Sequence, residues 1–419
     1  MTKFCMALGL LALGCESTSA DDGANSDAGA GGSDNAGGAA GGGGGGGGNG
    51  EVCRPLVPAA WTGPAPFAAP QAVVFAGDFL AVANTGVAWN PESMALEFGE
   101  GFVTVIDPLT GAIVNRIATR APNPQKLVVH GDRLFIVNTG TTTYDAATSE
   151  VHVTGPGSID FLPLVDLDTA AVPHGSTPFT FDPARPLLGA PVDLAFVGER
   201  AYITSGTSNS LFVFNAGNGV MERGPENPLQ LGAAAGVGLG SIVAVGEVLY
   251  VTDFNSDLLW RVKGADDSVS ACGVAIGQAA DLEGATSPRL VGQTLFVMLA
   301  VAGSVEGRPL AALDAAFDNG CAALEPSVLI DPLGQYPNEL GVTGDHLLVV
   351  NSGDNQVVEY SADGAEVTTF DLPPNANPWS VAVDADARRL AVSEQMGNGV
   401  TVFDRVCEGQ SWRQGNPAP

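Results

Sequence analysis

The chain has 419 residues, enough for one large domain or two ordinary ones. With 45% apolar residues it is too hydrophobic to stay disordered, and 56 glycines, 28 prolines and no long 3.6-residue periodicity indicate an all-β protein of many short strands. A net charge of −29, from 46 acidic and 17 basic residues, repels phosphate backbones and sets nucleic acid aside as a partner. Cations and basic partners are favoured, although the same charge serves solubility by itself.

Residues 1–15 read as a targeting segment: Lys3 is the positive start, and the apolar run 4–13 is too short to span a bilayer. It ends Ala12-Leu13-Gly14-Cys15, which resembles a bacterial lipoprotein signal with Ala12 where Leu is usual. That resemblance implies lipidation of Cys15 and, with Glu16 rather than Asp after it, transfer to an outer membrane. The alternative is a plain secretory signal that happens to contain Cys. Residues 16–50 are Ser, Asp, Ala and Gly and finish in eight glycines, so they cannot build a core and form a flexible tether. Its reach is about 30–35 Å, enough to hold a body clear of a membrane. The body, residues 51–419, contains no run of spanning length.

Of six cysteines, Cys5 lies in the signal and Cys15 at its end, leaving Cys53, Cys272, Cys321 and Cys407. An even number in an oxidising compartment suggests two disulfides, and the absence of CxxC spacing argues against zinc.

Seven copies of one pattern fill the body: 71–84, 125–138, 192–205, 240–253, 288–299, 338–351 and 379–394. In each, two alternating apolar strands flank a tight turn, such as Gly77-Asp78, Gly131-Asp132 or Gly344-Asp345, and in six a Pro precedes or opens the first strand. Copies roughly 40–70 residues apart suit one four-stranded propeller blade each. The stretch LLVVNSGDNQVVEY resembles a bacterial YVTN-type repeat, and NPWSVAVDADARRLAVS resembles an NHL-type one. Both imply a β-propeller, here a seven-bladed ring of four-stranded antiparallel blades. They imply little about function, since propellers host many unrelated ones.

The last copy offers three strands, so residues 53–58 (CRPLVP) are expected to close the ring as its fourth, with Cys53 bridged to Cys407. Cys272 and Cys321 would then join the outer strands of neighbouring blades; other pairings are compatible with the sequence.

In this strand order, the loops leading into the innermost strands and those joining second to third strands share one face at the central channel. The second strands end in Asn84, Asn138, Ser205, Asp253, Leu299, Asn351 and Glu394. Asn, Asp and Ser close turns by bonding their own backbone, and that role is favoured. The sharper reading is a polar ring at the channel mouth, binding a ligand through Asn84, Asn138 and Asn351. The leading loops add Lys126, Asp193, Ser241, Glu339 and Ser380. Asp193, Asp253 and Glu339, with Asn351, offer the oxygens that a divalent cation such as Ca2+ takes. The gluconolactonase and regucalcin family, a six-bladed resemblance whose ligands do not match one by one, holds its metal in this region. Two long loops, 85–101 and 139–157, interrupt adjacent copies on this face, where repeat proteins collect binding insertions. Trp89, Met94 and Phe98 supply apolar anchors in the first, or simply cover the channel.

The histidines His130, His152, His174 and His346 form no catalytic constellation with neighbours in sequence, and GxSxG, HExxH and P-loop motifs are missing. The expectation is therefore a monomeric, lipid-anchored propeller outside the cytoplasm, touching membrane only through its N-terminal lipid. It would bind an envelope protein or small ligand and need no cofactor beyond an optional cation. A metal-dependent hydrolase of the lactonase kind is the alternative, and a purely structural envelope protein the third.

Overall fold

The computed structural model describes residues 67–90, 95–145, 150–179, 189–232, 238–277, 282–331, 333–334, 336–384, 389–405 and 412–415. The expected signal and tether lie outside these residues, as do Cys53 and Cys407 and with them the expected Cys53–Cys407 bridge.

Seven antiparallel sheets follow one another along the chain, each running from an innermost to an outermost strand. The innermost strands are Pro70–Ala76, Pro124–His130, Pro191–Val197, Leu239–Val245, Ala285–Val291, Pro337–Thr343 and Pro378–Val383, defining blades 1 to 7. They touch in cyclic order, and blade 7 meets blade 1, so the sheets form a closed propeller. Blades 3 and 4 divide the outermost place between two short strands each. Five innermost strands begin with Pro, which tolerates the first position because no ladder donor is needed there. In blade 5 the expected start at Pro288 is corrected to Ala285, and Pro288 sits inside the strand beside an irregularity in its pairing.

The hairpin between first and second strands recurs as expected in blades 1 to 6; the turn of blade 7 lies outside the described residues. Gly77, Gly131, Gly198, Gly246, Gly292 and Gly344 all adopt φ between +57° and +62°, where glycine alone pays no steric penalty.

The core is divided among seven hydrophobic clusters, one at each interface between blades. This follows from the two-faced strands: a β-sheet with apolar residues on both faces needs a neighbour on each side, and only a ring supplies one to every sheet. At the closing interface Phe67, Val73, Leu80, Val82 and Ile106 pack on Ala391 and Val400. The interface of blades 4 and 5 extends outward through the helix Leu310–Asp318, which buries Leu313, Ala316 and Phe317. There Cys272 and Cys321 form the expected disulfide, with Cα atoms 6.0 Å apart.

The closing strand differs from expectation. Blade 7 takes its fourth strand, Trp412–Gly415, from the C-terminal end of the chain, so the place expected for residues 53–58 is filled. At the join, Asn398 Oδ1 accepts from Ala69 N at 2.8 Å, and Ser393 Oγ donates to Gln71 O at 3.0 Å.

Both long loops are hairpins. Val87–Asn90 pairs with Ala95–Phe98 above blade 1, and Thr142–Asp145 with Glu150–Val153 above blade 2. Among the described residues no helix is long and apolar enough to cross a membrane.

Candidate functional site at the channel mouth

Each innermost strand carries a register irregularity close to its start, on all seven blades. A bulge breaks the alternation of a strand and re-aims a side chain. The re-aimed positions, among them Gln71, Gln125, Asn338 and Trp379, line a cavity of about 210 Å³ at the channel mouth. Lys126, Asp193, Ser241, Glu339 and Ser380, the residues expected from the leading loops, line it as well. Phe254 and Tyr336 supply aromatic wall, and Val192 and Leu239 aliphatic wall.

Lys126 and Glu339 are bonded to each other, which no reading of one copy could show. They belong to blades 2 and 6, so their ion pair crosses the channel. Arg289 of blade 5 donates to the same Glu339 oxygen at 2.9 Å. Burial pushes the Glu339 carboxyl upward, but the Lys126 ammonium and the Arg289 guanidinium outweigh it and hold it below the usual carboxylate value. Glu339 is therefore an ion-paired brace between three blades.

The acids proposed as metal ligands are occupied separately. Asp193 lines the cavity, but its Oδ1 accepts from Leu194 N at 2.9 Å and its Oδ2 from Ile242 N, on the next blade, at 3.3 Å. Asp253 is buried outside the cavity lining, caps Ser256 N at 3.2 Å, and is pushed up by burial. Among the described residues no three His, Cys, Asp or Glu side chains gather as a metal site would require. The geometry thus does not bring the set Asp193, Asp253 and Glu339 together.

Asn84, Asn138 and Asn351, expected as ligand-binding, do not line the cavity; all three are buried. Asn84 Nδ2 donates to Val82 O and Thr104 Oγ1, both at 3.0 Å, while its Oδ1 accepts from Ala68 N. Asn138 Nδ2 donates to Ser158 Oγ at 2.9 Å and Asp160 Oδ2 at 2.8 Å. Both side chains bond within their own blade, Asn84 to backbone and Thr104 and Asn138 to side chains of the third strand, so both serve the framework rather than the channel. The polar residue four positions on reaches into the next blade's lead. Asp257 accepts from Gly284 N, Asn355 from Asn377 N and Asn398 from Ala69 N. All three have φ between +47° and +54°, a region Asn and Asp tolerate better than other side chains.

Of the first hairpin's anchors, Phe98 is half-buried; Met94 and the Trp89 side chain lie outside the described residues. Glu97 is exposed and accepts from Asn90 Nδ2 at 2.5 Å. Sequence reasoning missed Gln71, Gln125, Trp379, Tyr336 and Arg289. A signal for four of them existed: Gln71, Gln125, Arg289 and Trp379 each directly follow the Pro that precedes or opens their copy.

No protein-family model matches the chain, and no curated protein matches it in sequence. The fold is similar to solved propellers. A streptogramin B lyase matches with a TM-score of 0.55 at 11% identity, over 79% of this chain and 92% of its own. Virginiamycin B lyase from Staphylococcus aureus matches with a TM-score of 0.55 at 10% identity, over 81% and 96%. U3-55K matches with a TM-score of 0.55 at 11% identity, over 84% and 93%. At such identities the likeness concerns the fold alone.

Proposed function

We propose that this protein is a binding module: a seven-bladed propeller, exported and held to an outer membrane through Cys15, that captures an envelope component at its channel mouth. The observation that carries the reading is the cavity formed by the seven re-aimed strand starts, on the face from which the two hairpins rise. Its charged residues are engaged with one another or with backbone, an arrangement suited to holding a ligand rather than to moving protons. The tether supports display, because its glycine-rich length separates the body from any lipid at Cys15.

Replacing each hairpin by a five-residue turn like 351–355 tests the reading. Loop-closure entropy changes slowly with length, so melting should stay within a few degrees while crosslinked capture from an envelope fraction is lost. Unchanged capture with both hairpins trimmed refutes their role. Cys15→Ala should move the protein from the membrane pellet to the soluble fraction; a variant that stays in the pellet refutes the anchor.

A catalytic reading draws on the two lyases that share the fold. As a metal-dependent hydrolase, the protein would need Asp193 to leave its backbone partners and Glu339 its two cations. Saturable calcium binding in calorimetry, abolished by Asp193→Asn, would favour it.

A further inference from the structure

We infer that the channel mouth is a cup for one neutral, hydroxyl-bearing ring: a single hexose unit at the end of a glycan. This deepens the binding reading above and rests on it.

Size comes first. At about 210 Å³ the cavity falls below the roughly 300–1,000 Å³ of sites for drug-sized ligands, and suits one six-membered ring. The Lys126–Glu339 pair crosses the channel one position further along the innermost strands than Gln125 and Asn338. A ligand entering from the mouth meets this bar, so the cup accepts the end of a chain and not a chain threaded through.

Charge comes second. Glu339 is shared by Lys126 and Arg289, and both Asp193 oxygens accept from backbone N–H groups. A cation finds no uncommitted carboxylate among these acids, and an anion finds a lysine already compensated. The wall favours a neutral guest.

Hydrogen-bonding capacity remains. Gln125 is 8% exposed and lines the cavity; its Nε2 donates to Asn123 Oδ1 at 3.3 Å, and its Oε1 has no partner. This oxygen is closed off from solvent, so a ligand hydroxyl reaches it only if the amide turns toward the cavity. Ser241 and Thr286 place a pair of hydroxyls 3.4 Å apart on the same wall. A sugar hydroxyl both donates and accepts, so it can bond to these side-chain hydroxyls.

The rim is aromatic. Trp379 lines the cavity half-buried, and Tyr336 lines it while 58% exposed. Aromatic faces carry negative potential and attract the polarised C–H face of a sugar ring.

The test uses the full-length chain carrying Cys15→Ala, in saturation-transfer NMR. The probes are the methyl glycosides of glucose, galactose, mannose and N-acetylglucosamine, with glucuronic acid and tetra-alanine as charged and peptide comparisons. We expect transfer to at least one neutral glycoside, with Kd in the millimolar range typical of so small a ligand. Transfer should fall about tenfold in Trp379→Ala and in Tyr336→Ala, the latter an exposed ring whose loss leaves the melting curve unchanged. No transfer to any neutral glycoside, transfer to glucuronic acid or tetra-alanine alone, or transfer undiminished in both variants overturns the proposal. If the sugars fail while hairpin-dependent capture persists, the glycan assignment falls and the binding module stands.

Discussion

Asn398→Ala tests how the ring is shut. Asn398 sits at φ +47° and its Oδ1 accepts from Ala69 N at 2.8 Å, tying blade 7 to the lead into blade 1. Alanine removes the acceptor, leaving a donor on a residue that is 8% exposed, which costs about 1–2 kcal/mol. It also places a Cβ without a compensating side-chain bond in the left-handed region, costing about 1 kcal/mol more. The expected loss is about 2–3 kcal/mol. Asn398→Gly keeps the backbone relaxed and should lose only about 1 kcal/mol, while Asn398→Asp keeps the acceptor and should stay near wild type. In a domain of this size 1 kcal/mol moves Tm by only about 1–2 °C, so guanidinium unfolding at equilibrium is the better assay. The corresponding Asn355 bond joins blades 6 and 7, which the chain itself already links. Asn398→Ala should therefore raise hydrogen exchange in blades 1 and 7 together, and Asn355→Ala should not. If alanine, glycine and wild type unfold alike, the closing role assigned to Asn398 is wrong.

Removing the channel brace by Glu339→Gln leaves Lys126 and Arg289 facing each other, each about one-fifth exposed, and should destabilise by about 2 kcal/mol. Lys126→Met leaves Glu339 paired with Arg289, so its loss should be smaller; the reverse order in urea unfolding would contradict the bridge. Burial raises the Asp267 carboxyl, but Arg200, Arg223 and Tyr202 outweigh it and bring the group to about 2. A folded value below the unfolded one stabilises above about pH 4, and this contribution drains away as pH falls toward 2. It amounts to about 1–2 kcal/mol, and Asp267→Asn should abolish that share of the acid limb; identical limbs in the two proteins would refute it.

Much of this architecture was legible because it is local. Alternating apolar runs specify strands with two buried faces, and Gly77, Gly131, Gly198, Gly246, Gly292 and Gly344 mark turns whose positive φ the structure reproduces. Repetition of the unit seven times then implies a ring, since each sheet needs a neighbour on both faces. The Cys272–Cys321 pair was the pairing expected from blade order among several that the cysteine count left open. The closing strand was not legible: Trp412–Gly415 is short, polar and ends in Gly, without the alternation that announces a strand, whereas residues 53–58 are richer in apolar side chains. The site was legible only as a face. The sequence placed Lys126, Asp193, Glu339 and the two long loops there, but not the burial of Asn84 and Asn138, because a strand-end side chain's direction depends on the third strand it bonds to. Nor could it pair Lys126 with Glu339, 213 residues apart. Periodicity encodes backbone conformation and which face is apolar. Which charges meet across the channel axis is set by the number of blades and the bulges that turn their first residues inward, and those exist only once the ring has closed.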